Sequence, residues 1–154
     1  MLSLHFGITK NKLQYKMEKI SHTSKIRVRF NETDPLGIVW HGNYITYFED
    51  GREALGRAHN LSYLDVKAAG YSTPIVKSIC NHKLPLKYGD IATIETTFVN
   101  HQAAKMVFTY KIFNSEGKVV CTGETVQVFL DDKGELALTN PSFFEKWKKK
   151  LGLS

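Results

Sequence analysis

The order of two side-chain periodicities along the chain is the feature that most narrows its possible folds. Residues 24–30, SKIRVRF, alternate apolar and basic side chains, which is the period-2 pattern of a half-buried strand. One face of that strand is expected to carry Ile26, Val28 and Phe30. From Asn43 onward, apolar residues recur at steps of three and four, which indicates an amphipathic helix with Asn43 as its N-cap. The apolar face of this helix comprises Tyr44, Tyr47, Phe48, Gly51, Leu55 and Ala58.

The rest of the chain is predicted to contain a short second helix near residues 63–69 and then four more strands. These strands are expected near residues 72–82, 90–100, 104–114 and 118–130. Glycine and Asx residues at 88–90 and 114–117 favour tight connections, so the later strands are predicted to pair as an antiparallel meander. One strand, one long helix and four strands predict an α+β domain in which one helix covers one face of one sheet.

Sheets of this kind leave strand edges that a second chain can cover, which predicts a homo-oligomer. The length of 154 residues, with 42% apolar and 23% charged residues, indicates one domain, which we assign to residues 21–154. Residues 1–20 are read as an N-terminal extension. Residues 1–16 are either an upstream start before Met17 or, because residues 2–8 alternate, an extra edge strand.

No run of about 20 apolar residues is present, and the first residues lack a basic region followed by an apolar centre. We therefore expect a soluble, cytoplasmic protein without integral membrane association. The formal net charge of +6 is concentrated in terminal lysines, including Lys146, Lys148, Lys149 and Lys150, which are expected to be solvated. Without interleaved arginine and aromatic residues, nucleic-acid binding is not expected, whereas an anionic, phosphate-rich ligand is compatible with this charge.

The two cysteines, Cys80 and Cys121, lie 41 positions apart and do not form a CxxC motif. We expect them to be small buried hydrophobic residues without a zinc or redox role. The histidines other than His41 show no metal-ligand spacing, so no metal site is predicted. The chain also lacks a GxSxG motif and a phosphate-binding glycine loop, which disfavours a serine hydrolase and a nucleotide-binding enzyme.

The segment 31–44 between the first strand and the long helix carries the candidate chemistry. Asp34 precedes Pro35 and Gly37, which impose an irregular path, and the path ends at a helix N-terminus with free backbone N–H groups. Such groups can stabilise the negative charge that develops on a carbonyl oxygen during acyl transfer. The residues alone leave two interpretations open: Asp34 starts a turn, or it attacks a carbonyl or activates a water.

The segment TDPLGIVWHGNYITYFEDGREAL, residues 33–55, resembles the signature of the 4-hydroxybenzoyl-CoA thioesterase branch of the hotdog superfamily. This branch includes the acyl-CoA thioesterases associated with the Tol–Pal cluster. The resemblance covers about residues 24–130, including the later Pro85-x-x-Tyr88-Gly89-Asp90 segment. It implies a hotdog fold, in which a curved antiparallel sheet wraps around one long central helix. It also implies dimers joined edge to edge, often paired into tetramers.

The resemblance further implies hydrolysis of an acyl-CoA or acyl-ACP (acyl-carrier-protein) thioester to a free acid and a thiol. Asp34 would be the nucleophile or general base, and a backbone N–H at His41 or its neighbours would polarise the thioester carbonyl. The residues implied to contact substrate at the dimer interface are Gly37, Trp40, Tyr44, Tyr47 and Phe48. The CoA thioester is the substrate, and no bound cofactor is expected.

Two alternative functions remain compatible with the sequence. In a hotdog dehydratase or hydratase, the His41 side chain would abstract a proton with Glu49 as its acidic partner. In a non-catalytic acyl-CoA-binding module, the same pocket would bind ligand and Asp34 would be dispensable. Glu49 is also the second-choice carboxylate for thioester hydrolysis, although a glutamate on a helix is usually solvated or ion-paired.

Overall fold

The computed structural model describes residues 19–153, which form one antiparallel sheet and three α-helices. The strands are β1 (Ile20–Arg27), β2 (Ile75–His82), β3 (Ile91–Val99), β4 (Lys105–Phe113) and β5 (Val119–Val128), and the helices are α1 (Asn43–His59), α2 (Tyr63–Ala68) and α3 (Ser142–Lys150). The order across the sheet is β1-β3-β4-β5-β2, and α1 packs on the sheet. The predicted α+β class is confirmed, whereas the possible strand at residues 2–8 lies outside the described residues.

The predicted meander is correct for β3, β4 and β5 but wrong for β2. This strand crosses to the far edge and pairs with β5. The turn before β3 explains the difference, because Gly89 N–H donates to Val28 O at 3.0 Å and Val28 N–H donates to Asp90 O at 2.9 Å. Gly89 has a φ of +82°, a conformation that favours glycine. The glycine turn therefore joins β3 to the end of β1 and does not close a hairpin with β2.

Strand β1 begins and ends earlier than the alternation predicted. It pairs with β3 from Ile20 opposite Phe98 to Arg27 opposite Ile91. Val28 is buried as expected, but Phe30 is 77% exposed because the chain turns into a 3₁₀ helix at Phe30–Glu32. The prediction that Phe30 faces the core is therefore wrong.

Helix α1 confirms the predicted apolar face except at Ala58, which is exposed near the end of the helix. Asn43 is not the N-cap: Gly42 holds that position, and the Asn43 side-chain amide donates instead to Glu32 O at 2.8 Å. At Gly51 a Cβ atom would overlap the Thr96 side chain and lie 2.8 Å from Ile94 Cγ2. The missing side chain of Gly51 thus allows α1 to lie directly on β3.

Helix α3 covers the end of the sheet next to the C-terminus of α1. Trp147 Nε1 donates to His59 O at 2.7 Å, which connects the two helices. Lys148 was predicted to be solvated, but it is only 5% exposed, and its Nζ donates to His101 O at 2.6 Å. Burial holds the pKa of Lys148 below its usual value.

Across residues 19–153, no helix combines the length and apolar character that a membrane crossing requires.

Candidate active site

The loop between β1 and α1 folds back on itself as a short hairpin with Asp34 at its turn. Asp34 N–H donates to Ile38 O, and Trp40 N–H donates to Glu32 O, both at 2.9 Å. Gly37 closes the turn by donating to Asp34 O at 2.9 Å and has a φ of +77°. The sequence therefore places Asp34 at one end of a hydrogen-bonded hairpin whose other end runs into α1.

The Asp34 carboxylate is half-buried and is held partly by its own turn. Its Oδ1 accepts a hydrogen bond from Leu36 N–H at 2.9 Å, which is typical of an Asx turn. No donor within residues 19–153 forms a hydrogen bond with Oδ2. Asp34 thus shapes the turn with one oxygen and can offer the other to a water molecule or a carbonyl carbon.

Glu32 connects this hairpin to helix α1, a role that the sequence analysis did not identify. Its Oε2 accepts hydrogen bonds from Tyr47 Oη at 3.0 Å and from Arg29 N–H at 2.7 Å. Burial, together with the bond to Glu32, raises the pKa of Tyr47. The only sequence signal for Glu32 was its position two residues before Asp34.

Two backbone donors directly before α1 are available. Asn43 N–H donates to Trp40 O at 2.9 Å, and Tyr44 N–H donates to His41 O at 3.4 Å. In the part of the chain that the structure describes, the N–H groups of His41 and Gly42 have no acceptor. These N–H groups lie at the positive end of the helix dipole, where a partial negative charge is stabilised.

Trp40 and His41 flank these donors. The Trp40 ring lies against Gly42 so closely that a Cβ atom at Gly42 would overlap it. The His41 ring centroid is 4.9 Å from that of Trp40, and both side chains are exposed. The Trp40 indole can therefore pack against the backbone of Gly42 only because glycine has no side chain.

The aromatic residues that the sequence assigned to the substrate pocket lie on the buried face of α1, whereas Gly37 and Trp40 lie on the exposed loop. Tyr44 and Tyr47 pack edge to face at 5.7 Å, and Phe48 stacks on Tyr110 at 4.4 Å. Tyr47 also borders a cavity of about 760 Å³ that Glu32 and Asp50 share. Burial, assisted by the charge of Glu49, raises the pKa of Asp50 at this cavity.

Glu49 lies on an exposed part of α1 and borders a different cavity of about 490 Å³, together with Arg52 and Gln127. Asn43, the first residue of α1, and Glu49 are separated by about 9 Å along the helix axis. His41 precedes Asn43, so the His41 and Glu49 side chains do not form a hydrogen-bonded acid–base pair within one chain. His41 lies on the same loop as Asp34, whereas Glu49 lies on α1 and borders a different cavity.

Cys80, His82 and Cys121 form a second cluster of chemically active side chains. One potential ligand atom from each lies within 4.8 Å of the others. The 41-residue separation of the cysteines concealed this cluster, because only the β2–β5 pairing brings them together.

The matches to known proteins cover almost the whole part of the chain that the structure describes. A sequence model of the family described as the thioesterase-like superfamily matches residues 28–148. A putative acyl-CoA thioesterase, YneP of Bacillus subtilis (strain 168), is 32% identical over 128 residues, which cover 82% of this chain and 93% of that protein. The acyl-CoA thioester hydrolase YbgC of Escherichia coli O157:H7 is 26% identical over 106 residues, covering 69% of this chain and 79% of that protein.

The fold is similar to that of a solved thioesterase. The crystal structure of the DHNA-CoA thioesterase from Staphylococcus aureus superposes with a TM-score of 0.78 at 25% identity. The match covers 86% of this chain and 91% of that protein. Sequence and structure comparisons therefore agree on the same class of relatives.

Proposed function

This chain belongs to the thioesterase-like superfamily, and we propose that it is an acyl-CoA thioesterase that hydrolyses an acyl-CoA to a free acid and CoA. The names of the relatives support this reaction class. The observation that carries the proposal is the hairpin that places the free Oδ2 of Asp34 at one end and the free N–H groups of His41 and Gly42 at the other. Thioester hydrolysis requires both a nucleophile or base and donors for an oxyanion.

In this mechanism the thioester carbonyl oxygen accepts hydrogen bonds from the N–H groups of His41 and Gly42. Negative charge then develops on that oxygen next to the positive end of α1, which lowers the barrier to attack. The His41 imidazole is not required for this role, because the donors belong to the backbone.

Asp34 would act by one of two routes. As a nucleophile, its Oδ2 attacks the carbonyl carbon, the C–S bond breaks, CoA leaves as a thiolate that takes a proton, and water hydrolyses the resulting anhydride. As a general base, Asp34 removes a proton from a water molecule that attacks the same carbon. Rapid quenching followed by mass spectrometry of the Asp34 peptide separates the two routes, since only the first leaves an acyl group on the enzyme.

We propose that the working unit is a homodimer joined along β2, with tetramers formed by pairing of dimers. The outer edge of β2 has no partner strand among residues 19–153, and three apolar side chains on it are exposed: Ile75, Val76 and Ile79. Unpaired strand edges of this kind readily pair with another chain. A second copy at β2 would also close the substrate site, so that Gly37, Trp40 and the aromatic residues of α1 contact an acyl group at the interface.

The test is a panel of short, long, branched and aromatic acyl-CoAs, with matched acyl-ACPs, assayed for thiol release by the wild type and by Asp34→Asn. Thiol release by the wild type that is lost in the variant supports the proposal. A change in the acyl chain without thiol release would instead identify a dehydratase or hydratase. Tight acyl-CoA binding with no turnover of any substrate would identify a binding module.

A further inference from the structure

We propose that Cys80, His82 and Cys121 form a binding site for one zinc ion on the face of the sheet that packs against α1. The inference concerns residues that the thioesterase reaction does not use, and it does not depend on that proposed function. It replaces the expectation, drawn from cysteine and histidine spacing, that the chain has no metal site.

The distances between the three side chains are close to those of a zinc site. The two Sγ atoms are 3.3 Å apart, and Cys80 Sγ lies 3.4 Å from His82 Nε2. In a tetrahedral site with Zn–S bonds of about 2.3 Å and Zn–N bonds of about 2.0 Å, the S···S distance is about 3.8 Å and the S···N distance about 3.5 Å. These two distances would have to change by only a few tenths of an ångström, and the ligand atoms of Cys121 and His82 lie within 4.8 Å of each other.

Strand pairing holds these ligands in place before any metal binds. Cys80 and His82 are two positions apart on β2, so their side chains lie on the same face, and the register sets His82 opposite Cys121 on β5. The His82 ring is also packed edge-on against Tyr44, with centroids 4.9 Å apart. A site built on two hydrogen-bonded strands needs little ordering when the ion binds.

The charge of the cluster also suits a divalent cation. Burial raises the pKa of both thiols, most strongly that of Cys121, so the ion would have to displace both thiol protons when it binds. Two thiolates, one neutral imidazole and Zn²⁺ have no net charge, which a partly buried site can hold at low cost.

Three protein ligands leave one coordination position for water or another small ligand. Bound zinc would cross-link the edge strand β2 to β5, next to the beginning of α1. We therefore expect the ion to stabilise the edge of the sheet as well as to bind stoichiometrically.

The experiment uses the full chain, reduced and freed of metal, in a zinc titration against a chromophoric chelator. The expected result is one zinc per chain, and Co²⁺ in its place should give thiolate-to-cobalt charge-transfer absorption and the visible bands of a tetrahedral ion. His82→Gln changes an exposed residue and should fold normally, yet we expect it to weaken zinc binding by more than about 100-fold, since even loss of a second-shell partner costs about 10- to 100-fold. His22→Gln, on β1 and outside the cluster, is the matched control and should bind zinc like the wild type.

Thermal unfolding gives a second measurement. A hundredfold excess of free zinc over Kd should raise the melting temperature of the wild type by about 5–10 °C and leave Cys80→Ser nearly unchanged. Absence of stoichiometric zinc binding, or binding that His82→Gln and Cys80→Ser leave intact, would overturn the proposal. It would equally be overturned if Cys80 and Cys121 formed a disulfide on mild oxidation while the reduced protein bound no zinc.

Discussion

The hydroxyl of Tyr47 donates a hydrogen bond to Oε2 of Glu32 at 3.0 Å and thereby fixes the hairpin of Asp34 to the second turn of α1. The same oxygen accepts a bond from Arg29 N–H, so one carboxylate connects the end of β1, the hairpin and the helix. The Asn43 amide adds a parallel connection through Glu32 O. Glu32 therefore determines where the hairpin sits relative to the first N–H groups of α1.

Tyr47→Phe should remove the hydrogen bond to Glu32 without leaving a cavity in the core. The ring remains, but a charged acceptor loses one donor, which we expect to lower the free energy of unfolding by about 1–2 kcal/mol. Thiol release should fall as well, although less than in Asp34→Asn, because the proposed catalytic groups are retained. Urea unfolding and steady-state assays measure the two effects.

Tyr71→Phe is the control for that variant. The Tyr71 hydroxyl has no hydrogen-bond partner among the described residues, and its ring packs on Phe129 and Phe143. Its removal should change stability by less than about 0.5 kcal/mol. Equal losses in the two variants would show that the bond to Glu32 has no special role.

Asp34→Asn should reduce thioester hydrolysis by about 100- to 10,000-fold while the circular dichroism spectrum stays the same. The amide can still accept the turn bond from Leu36, but it can neither attack the carbonyl nor accept a proton. His41→Ala should lower the rate by less than about tenfold, because alanine keeps the backbone N–H. Glu49→Gln should behave like the wild type, since Glu49 borders a different cavity.

The outcomes of these three variants separate the alternative assignments. An Asp34→Asn enzyme that turns over near the wild-type rate would leave Asp34 with only its turn role. Inactivation by His41→Ala would favour the dehydratase-like chemistry, and inactivation by Glu49→Gln would move the catalytic carboxylate to α1.

Much of the fold could be predicted because periodicity is local. The face of α1 and the presence of β3, β4 and β5 follow from alternating or helical spacing within single segments. The position of β2 could not be predicted in this way, because its pairing with β5 depends on contacts far apart in the sequence. Similarly, the end of β1 is set by the turn at Phe30–Glu32, which interrupts an alternation that the sequence continues.

The site shows the same division between local and long-range information. The Asp34 turn and the start of α1 are adjacent in sequence, so a motif can describe them. Glu32 gains its role only through Tyr47, fifteen positions away on another element. Cys80 and Cys121 meet only through strand register, so the cluster for which we propose a zinc site could not be predicted from their spacing.

Val76→Lys should dissociate the proposed dimer. Val76 is 58% exposed on the edge strand β2, and a charge at such an edge opposes pairing with another strand. We expect light scattering to give a monomer and thiol release to fall, because the substrate site would lose its second chain. Thr23→Lys, on the opposite edge strand β1, should leave the dimer intact. A wild-type protein that is a fully active monomer at micromolar concentration would contradict the prediction.

Gly51→Ala should destabilise the fold even though alanine favours helices. The added methyl group would overlap Thr96 and press on Ile94, and overpacking of this kind costs about 1–3 kcal/mol against a propensity gain of about 1 kcal/mol. Thr46→Ala on the exposed face of α1 is the matched control and should be neutral or slightly stabilising. Urea midpoints of the two variants measure the difference, and an unchanged midpoint for Gly51→Ala would mean that α1 can move away from β3.

Tyr44→Phe should reduce the decrease in the free energy of unfolding that occurs at alkaline pH. Burial raises the pKa of Tyr44 from 10.0 to about 12, so below the lower value both folded and unfolded chains keep the proton. Between these two pKa values, the unfolded chain loses the Tyr44 proton before the folded chain does. The free energy of unfolding of the wild type should therefore fall by about 2–3 kcal/mol, and this fall should be absent in the phenylalanine variant. Urea unfolding of both proteins from about pH 9 to about pH 12 measures this difference. Tyr63→Phe, the same substitution at an exposed position, is the control. A gap between the wild type and Tyr44→Phe that does not change with pH would show that Tyr44 ionises as easily in the folded chain as in the unfolded one.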